Sequence, residues 1–246
     1  MSDVLKTPRR PAAKKKPIKP AGAARIRKLA GPPQPAVADA EVAPRPYHHG
    51  ALPEALLQAA ERVLVRDGLA GLGLRAIARE AGVSHTAPKH HFGDKVGLMS
   101  QLAAVGMRRL GGAMAAALEG VGDRRQRSQA IAHAYVHFAY EHPALFRLMF
   151  SNDRIDMRNP VLAEANMGAM RVLSDMQVGQ ATGEVGPPRL TGATALVAAA
   201  DWAYVHGLAT LLIDRRVNGL LRVMPEYDSA IDLVDAVLRK VRIDAE

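Results

Sequence analysis

From Pro53 to the C-terminus, apolar residues return every third or fourth position, and no stretch reads as a strand. That period is what most restricts the fold, because it builds one-sided helices that must pack on one another. Between Pro53 and Asp67 the stripe is Leu56, Ala59, Ala60, Val63 and Leu64. Between 124 and 140 it is Ile131, Ala134, Tyr135 and Phe138. Further helices are predicted from Pro143, over 160–178, over 190–214 and over 228–242. The last carries Ile231, Val234, Leu238 and Val241 on one face, with Asp235 and Arg239 spaced to pair. Aromatic residues are few (five Tyr, four Phe, one Trp), leaving the core to Leu, Ala, Val and Met, which favour helices. The expected fold class is all-α.

Punctuation defines a compact unit near the start. Pro53 suits the first turn of helix one, and Gly68 the position just past its end. A second helix spans about 74–81, entered through Gly73 and closed by Gly82. Val83 should point inward, and Ser84 should cap a third short helix ending near His91. Its first turn should be tight, because Pro88 has no amide to donate. Phe92 packs back, and Asp94 caps a fourth helix over 95–118. Two helices, a glycine-containing turn and a short exposed helix make a helix-turn-helix.

Charge is spread unevenly. Residues 1–46 carry eleven Lys/Arg against three acids, 47–110 eight against five, and 111–246 fourteen against sixteen. An anionic partner at one end is implied. Nine of the sixteen prolines also precede residue 47, so 1–46 reads as a disordered basic tail. It could be a solubilising or mis-started terminus, a polybasic arm for nucleic acid, or a transit peptide. Folded sequence divides into 47–105 and 106–246. Cysteine is absent, which removes disulfides and thiolate ligands and fits a reducing cytoplasm. No apolar segment of a secretory signal follows the early positive charge. Residues 190–213 are apolar but contain Asp201 and His206, which argues against a membrane span.

Two motifs need weighing. Gly71, Gly73 and Ala76 satisfy a dinucleotide fingerprint, with Asp94 downstream, but that motif must follow a strand, and here a helix precedes it. The cluster "GVSHTAPKHHF" is no metal centre either. His85, His90 and His91 diverge on a helix of barely two turns, and neither acid nor thiol lies at ligand spacing. An exposed set of His85, Thr86, Lys89 and His90 instead suits base edges and phosphates.

The stretch "LLQAAERVLVRDGLAGLGLRAIAREAGVSHTAPKHHFGDKVGLM" resembles the DNA-binding domain of TetR-family transcriptional regulators. The resemblance implies that Arg75, Ser84, His85, Thr86, Lys89 and His90 face double-stranded DNA. Lys95, at a helix N-terminus, would meet a phosphate, while His91 and Phe92 would be structural. Lys89 stands where the family most often has a phosphate-contacting tyrosine, so binding should be more salt-dependent. "HPALFRLMF" and "WAYVHGLATLL" resemble a subgroup marked by Trp202, His206 and Gly207. That resemblance implies a small-molecule effector in the second domain and a homodimer through 190–214 and 228–242.

Tyr135, Phe138, Met149, Met170, Met176, Trp202 and His206 are the expected pocket residues, although core packing also explains them. His133 and His137 lie one turn apart and could begin a metal site. Without a third ligand they are expected to be helix-face histidines, one of them meeting Glu141. No cofactor or metal is expected. The resulting expectation is a cytoplasmic, ligand-responsive repressor on a near-palindromic operator. A non-specific nucleic-acid binder using the basic tail is the alternative, followed by a metal-dependent enzyme using His133 and His137.

Overall fold

The computed structural model describes residues 52–178 and 192–240. The basic tail, Tyr47, Val241 and the side chain of Met176 lie outside the described residues. Among the described residues there are nine α-helices, one 3-10 helix and no strand. Helix α1 is Leu52–Gly71, α2 Leu74–Ala81, α3 Ala87–Phe92 and α4 Lys95–Ala116. These are followed by α5 (Arg124–Glu141), α6 (Pro143–Met149), α7 (Pro160–Val178), α8 (Gly192–Ile213), a 3-10 helix (Arg216–Arg222) and α9 (Ala230–Lys240). The expected stop at Gly68 appears as a break inside α1, where φ is +69°.

Helix α4 is the axis of the molecule. It packs on α1 and α3 towards one end and on α5, α6 and α7 along the rest. Leu98, Leu102, Ala103, Ala104, Leu110 and Met114 are buried along it. A Cβ built on Gly106 would lie 2.5 Å from Met149 Sδ and 3.1 Å from Leu145 Cγ, so the glycine lets α6 seat closely without displacing Met149. The buried Ser100 hydroxyl donates to the Val96 carbonyl and accepts the Asp156 amide, each at 2.8 Å. That pair fastens the loop between α6 and α7 to α4.

Helix α5 is buried on several sides. Ile131, Ala132, Tyr135, Val136, Phe138 and Ala139 are all in the core, because α4, α6, α7, α8 and α9 surround it. Two expectations for α9 are corrected. Val234 and Leu238 are 1% and 3% exposed and pack into this chain's own core, so the stripe is not a free surface. Asp235 bonds His137, 98 residues earlier, rather than Arg239. The long-range partner is a half-buried imidazole, which offers a fixed geometry that an exposed arginine does not.

Candidate nucleic-acid interface and ligand cavity

The turn between α2 and α3 is built from backbone bonds. Val83 N–H donates to the Ala78 carbonyl at 3.0 Å and Gly82 N–H to that of Arg79 at 3.2 Å. This pair closes a helix through a left-handed residue, and Gly82 has φ +67°. Val83 turns inward and packs on the core, as expected. Ser84, however, does not cap the third helix. Its carbonyl accepts the Ala87 amide at 3.0 Å, and its hydroxyl lies 2.9 Å from that of Thr86. Helix α3 begins only at Ala87, with Pro88 in its first turn. The proline has no N–H to offer, so the chain makes a tight i,i+3 turn before the helix.

Arg75, Ser84, His85, Thr86, Lys89 and His90 are all exposed, whereas Pro88 and Phe92 are buried beneath them. His91 is half-buried, with its ring 6.3 Å from that of Phe92. Lys95, half-buried, is the first residue of α4. Asp94 precedes it and caps α4, its Oδ1 accepting the Gly97 amide at 2.8 Å. Glu80, the acid of α2, is turned to α1, where Arg62 Nε and Arg66 Nη1 meet it at 2.9 and 2.8 Å. Those hydrogen bonds, from Arg66 foremost and then Arg62, hold the Glu80 carboxyl below its usual 4.5. A carboxylate bonded to two arginines adds little repulsion towards an approaching anion. The Glu61 carboxylate on α1 accepts from Arg109 on α4, at 2.9 Å from Nη2. Sequence reasoning found neither ion pair, since both depend on how α1 crosses its neighbours.

On the far half of α4 lies a cavity of about 480 Å³. Met107, Leu110 and Met114 of α4 form one wall. Tyr135 of α5 and Met149 of α6 form another, and Met170, Trp202 and His206 of α7 and α8 close it. Five of the seven expected pocket residues therefore share one space, the side chain of Met176 lying outside the described residues. Phe138 does not: it is 5% exposed and its ring lies 5.0 Å from that of His142, in the core on another side of α5. The α4 residues were missed because a methionine at helical spacing reads as core; Asn152 and Asn166 were missed because nothing local marks them.

Tyr135 and His206 form a polar anchor in the cavity, beside Asn152 and Asn166. Tyr135 Oη lies 2.9 Å from His206 Nδ1, and the His206 ring stacks on Phe146 at 5.5 Å. Burial raises the Tyr135 pKa above its usual 10.0 and lowers that of His206 below 6.5. Both groups are neutral at neutral pH, and the described residues of the lining include no Asp, Glu, Lys or Arg. Such a space suits an uncharged, largely apolar molecule with a few hydrogen-bonding groups.

The third polar feature is one the sequence left incomplete. His133 and His137 do not turn to Glu141 but to Asp235 on α9. Ligand atoms of these three residues lie within 4.8 Å of one another, close enough to share an ion. Sequence separation hid the third member.

Comparison with known proteins adds the lineage. Residues 56–102 match the model of bacterial regulatory proteins of the tetR family, and residues 128–239 that of tetracyclin repressor-like C-terminal domains. A protein of unknown function from Rhodococcus sp. RHA1 is 36% identical, covering 81% of this chain and all of its own, with a TM-score of 0.62. A TetR family transcription regulator from Marinobacter aquaeolei VT8 shares the fold at 18% identity and a TM-score of 0.54, over 78% of this chain and 95% of its own. No curated protein matches. The turn closed by Gly82, the exposed short helix and both matched segments place the chain in the TetR family of DNA-binding transcriptional regulators.

Proposed function

We propose that the protein is a ligand-responsive repressor that acts in the cytoplasm as a homodimer on a near-palindromic operator. Residues 47–105 read DNA, and 106–246 bind the effector and the second copy. The observation that carries this reading is the double engagement of α4. Met107, Leu110 and Met114 line the cavity, while Arg109, between them, bonds Glu61 of the DNA-reading head. A molecule that fits the cavity in only one setting of α4 shifts the head by its differential affinity.

In this reading Arg75, Ser84, His85, Thr86, Lys89 and His90 meet the major groove. Lys95 meets a phosphate, where a cation at a helix N-terminus otherwise opposes the helix dipole. The second copy is supported by α8. Its stretch Ala195–Ile213 is long and apolar enough to cross a membrane, yet only 17% of it is buried, and it packs on α5, α7 and α9. Leu196 is 74% and Leu211 45% exposed, with Ala199, Ala200 and Ala203 exposed between them. A small-residue stripe lets two such helices approach closely about a two-fold axis. The α9 stripe is already buried in this chain, so α8 supplies the larger share.

Selection of DNA from a random pool by the full-length protein tests the proposal. Enrichment of an inverted repeat, released by uncharged apolar compounds, is the expected result. An unenriched pool refutes operator binding, and an inverted repeat that no such compound releases refutes the effector reading.

A further inference from the structure

His133 and His137 sit one turn apart on α5, their rings stacked with centroids 3.9 Å apart and planes at 17°. Both Nε2 atoms converge on one oxygen, Asp235 Oδ1, at 3.5 and 3.1 Å respectively. A hydrogen bond accounts for His137 but not for His133, whose 3.5 Å is too long. His137 Nε2 also lies 3.2 Å from Asp235 Oδ2, and two stacked imidazoles aimed at one carboxylate are what a shared cation would organise. Four ligands at about 2.0–2.2 Å around a tetrahedral ion stand roughly 3.3–3.6 Å apart. The two histidine–aspartate separations are therefore close to the required ones, and all three ligand atoms lie within 4.8 Å of one another.

We propose that His133, His137 and Asp235 bind a late first-row divalent metal ion, with zinc the best geometric match, tying α9 to α5. Two imidazole nitrogens and one carboxylate favour zinc, nickel, cobalt or copper over calcium and magnesium, which take oxygen sets. The His133 side chain is 53% exposed, so ions have an entry path and water can take the fourth position. Asp235, at 16%, is held deeper and sets the geometry. The ion would cross-link two helices far apart in sequence, a structural use that needs no chemistry on a substrate. This inference stands independently of the proposed operator and effector.

The test uses the full-length protein, stripped with chelator, and Co²⁺ as a visible probe. One equivalent should develop d–d absorption of tetrahedral intensity that Zn²⁺ bleaches, and Zn²⁺ should raise the melting temperature. Asp235→Asn and His133→Gln should each lose the band and weaken the ion by more than about 100-fold, the upper end of what losing an outer-shell partner costs. Helical circular dichroism checks the fold, and His133→Gln, at an exposed position, carries the test if the aspartate variant does not fold. Seven other histidines are present in both wild type and variants. An absorption that survives either folded variant, or a wild type without it, overturns the proposal.

Discussion

Replacing Gly97 by alanine should weaken the protein, against the usual direction of that change. Inside a helix, Gly→Ala gains roughly 0.5–1 kcal/mol, since glycine loses more backbone freedom on folding. At position 97 an added Cβ would sit 2.2 Å from the Phe92 carbonyl oxygen. That oxygen is backbone and cannot rotate away, so the end of α3 and the start of α4 must part by about 1 Å to restore contact distance. Overpacking of this kind costs about 1–3 kcal/mol. The net loss is then up to about 2.5 kcal/mol, or a fall in Tm of several degrees for a chain of this size. Gly112, exposed on the same helix, has nothing within 4 Å of its Cβ position, so Gly112→Ala should gain roughly 0.5–1 kcal/mol. Urea unfolding of both variants measures the pair, and the selected operator reports whether the 1 Å shift reaches α3. Equal signs for the two variants, or full operator affinity for Gly97→Ala, would refute the steric reasoning.

Alanine at His85, Thr86 and Lys89 together should abolish specific binding with helicity intact, each lost base contact costing about 1–3 kcal/mol; unchanged affinity in a titration would mean another surface reads DNA. Ala203→Glu on the exposed face of α8 should give monomers by sedimentation that grip a full operator poorly, and a dimeric variant would place the interface elsewhere. Burial lowers the pKa of His206 below the 6.5 of the unfolded chain, so the unfolded state binds more protons. Its contribution to stability is therefore complete above about pH 6.5 and is lost as pH falls through the folded value. His206→Gln should lose less stability than wild type between about pH 7.5 and about pH 5.5 in urea titrations, and equal losses would refute that linkage.

Elements bounded by local signals were legible in the sequence. Gly82 ends α2 through a left-handed turn, Asp94 caps α4, and Pro143 and Pro160 begin α6 and α7, all determined within a few residues of chain. Where the outcome depended on a crossing helix, sequence fell short. Ser84 is a natural cap by residue type, but Pro88, four residues on, moved the helix start to Ala87. The period of α5 marks one face, yet helices on several sides bury others, so spacing did not separate Phe138 in the core from Tyr135 in the cavity. The stripe on α9 reads alike whether it covers its own chain or another, and only packing shows that Val234 and Leu238 face inward. Asp235 is chemically ordinary until α9 brings it to two histidines nearly a hundred residues earlier.

The close seat of α6 on Gly106, where Met149 and Leu145 lie against the helix backbone, makes that point a natural fulcrum for α4. At about 1.5 Å per residue, Met114 lies roughly 12 Å from it on the cavity side and Lys95 roughly 16 Å on the other. A rigid tilt that displaces Met114 by 1 Å thus swings Lys95 by about 1.4 Å the opposite way. In the proposed homodimer two such arms would change the distance between their tips by up to twice that. Half-sites set one DNA turn apart, about 34 Å, leave little slack for such an error. The mechanical advantage exceeds one only because the tight glycine lies nearer the cavity than the DNA. Moving the fulcrum along α4 would retune the response without touching a single residue that meets either ligand.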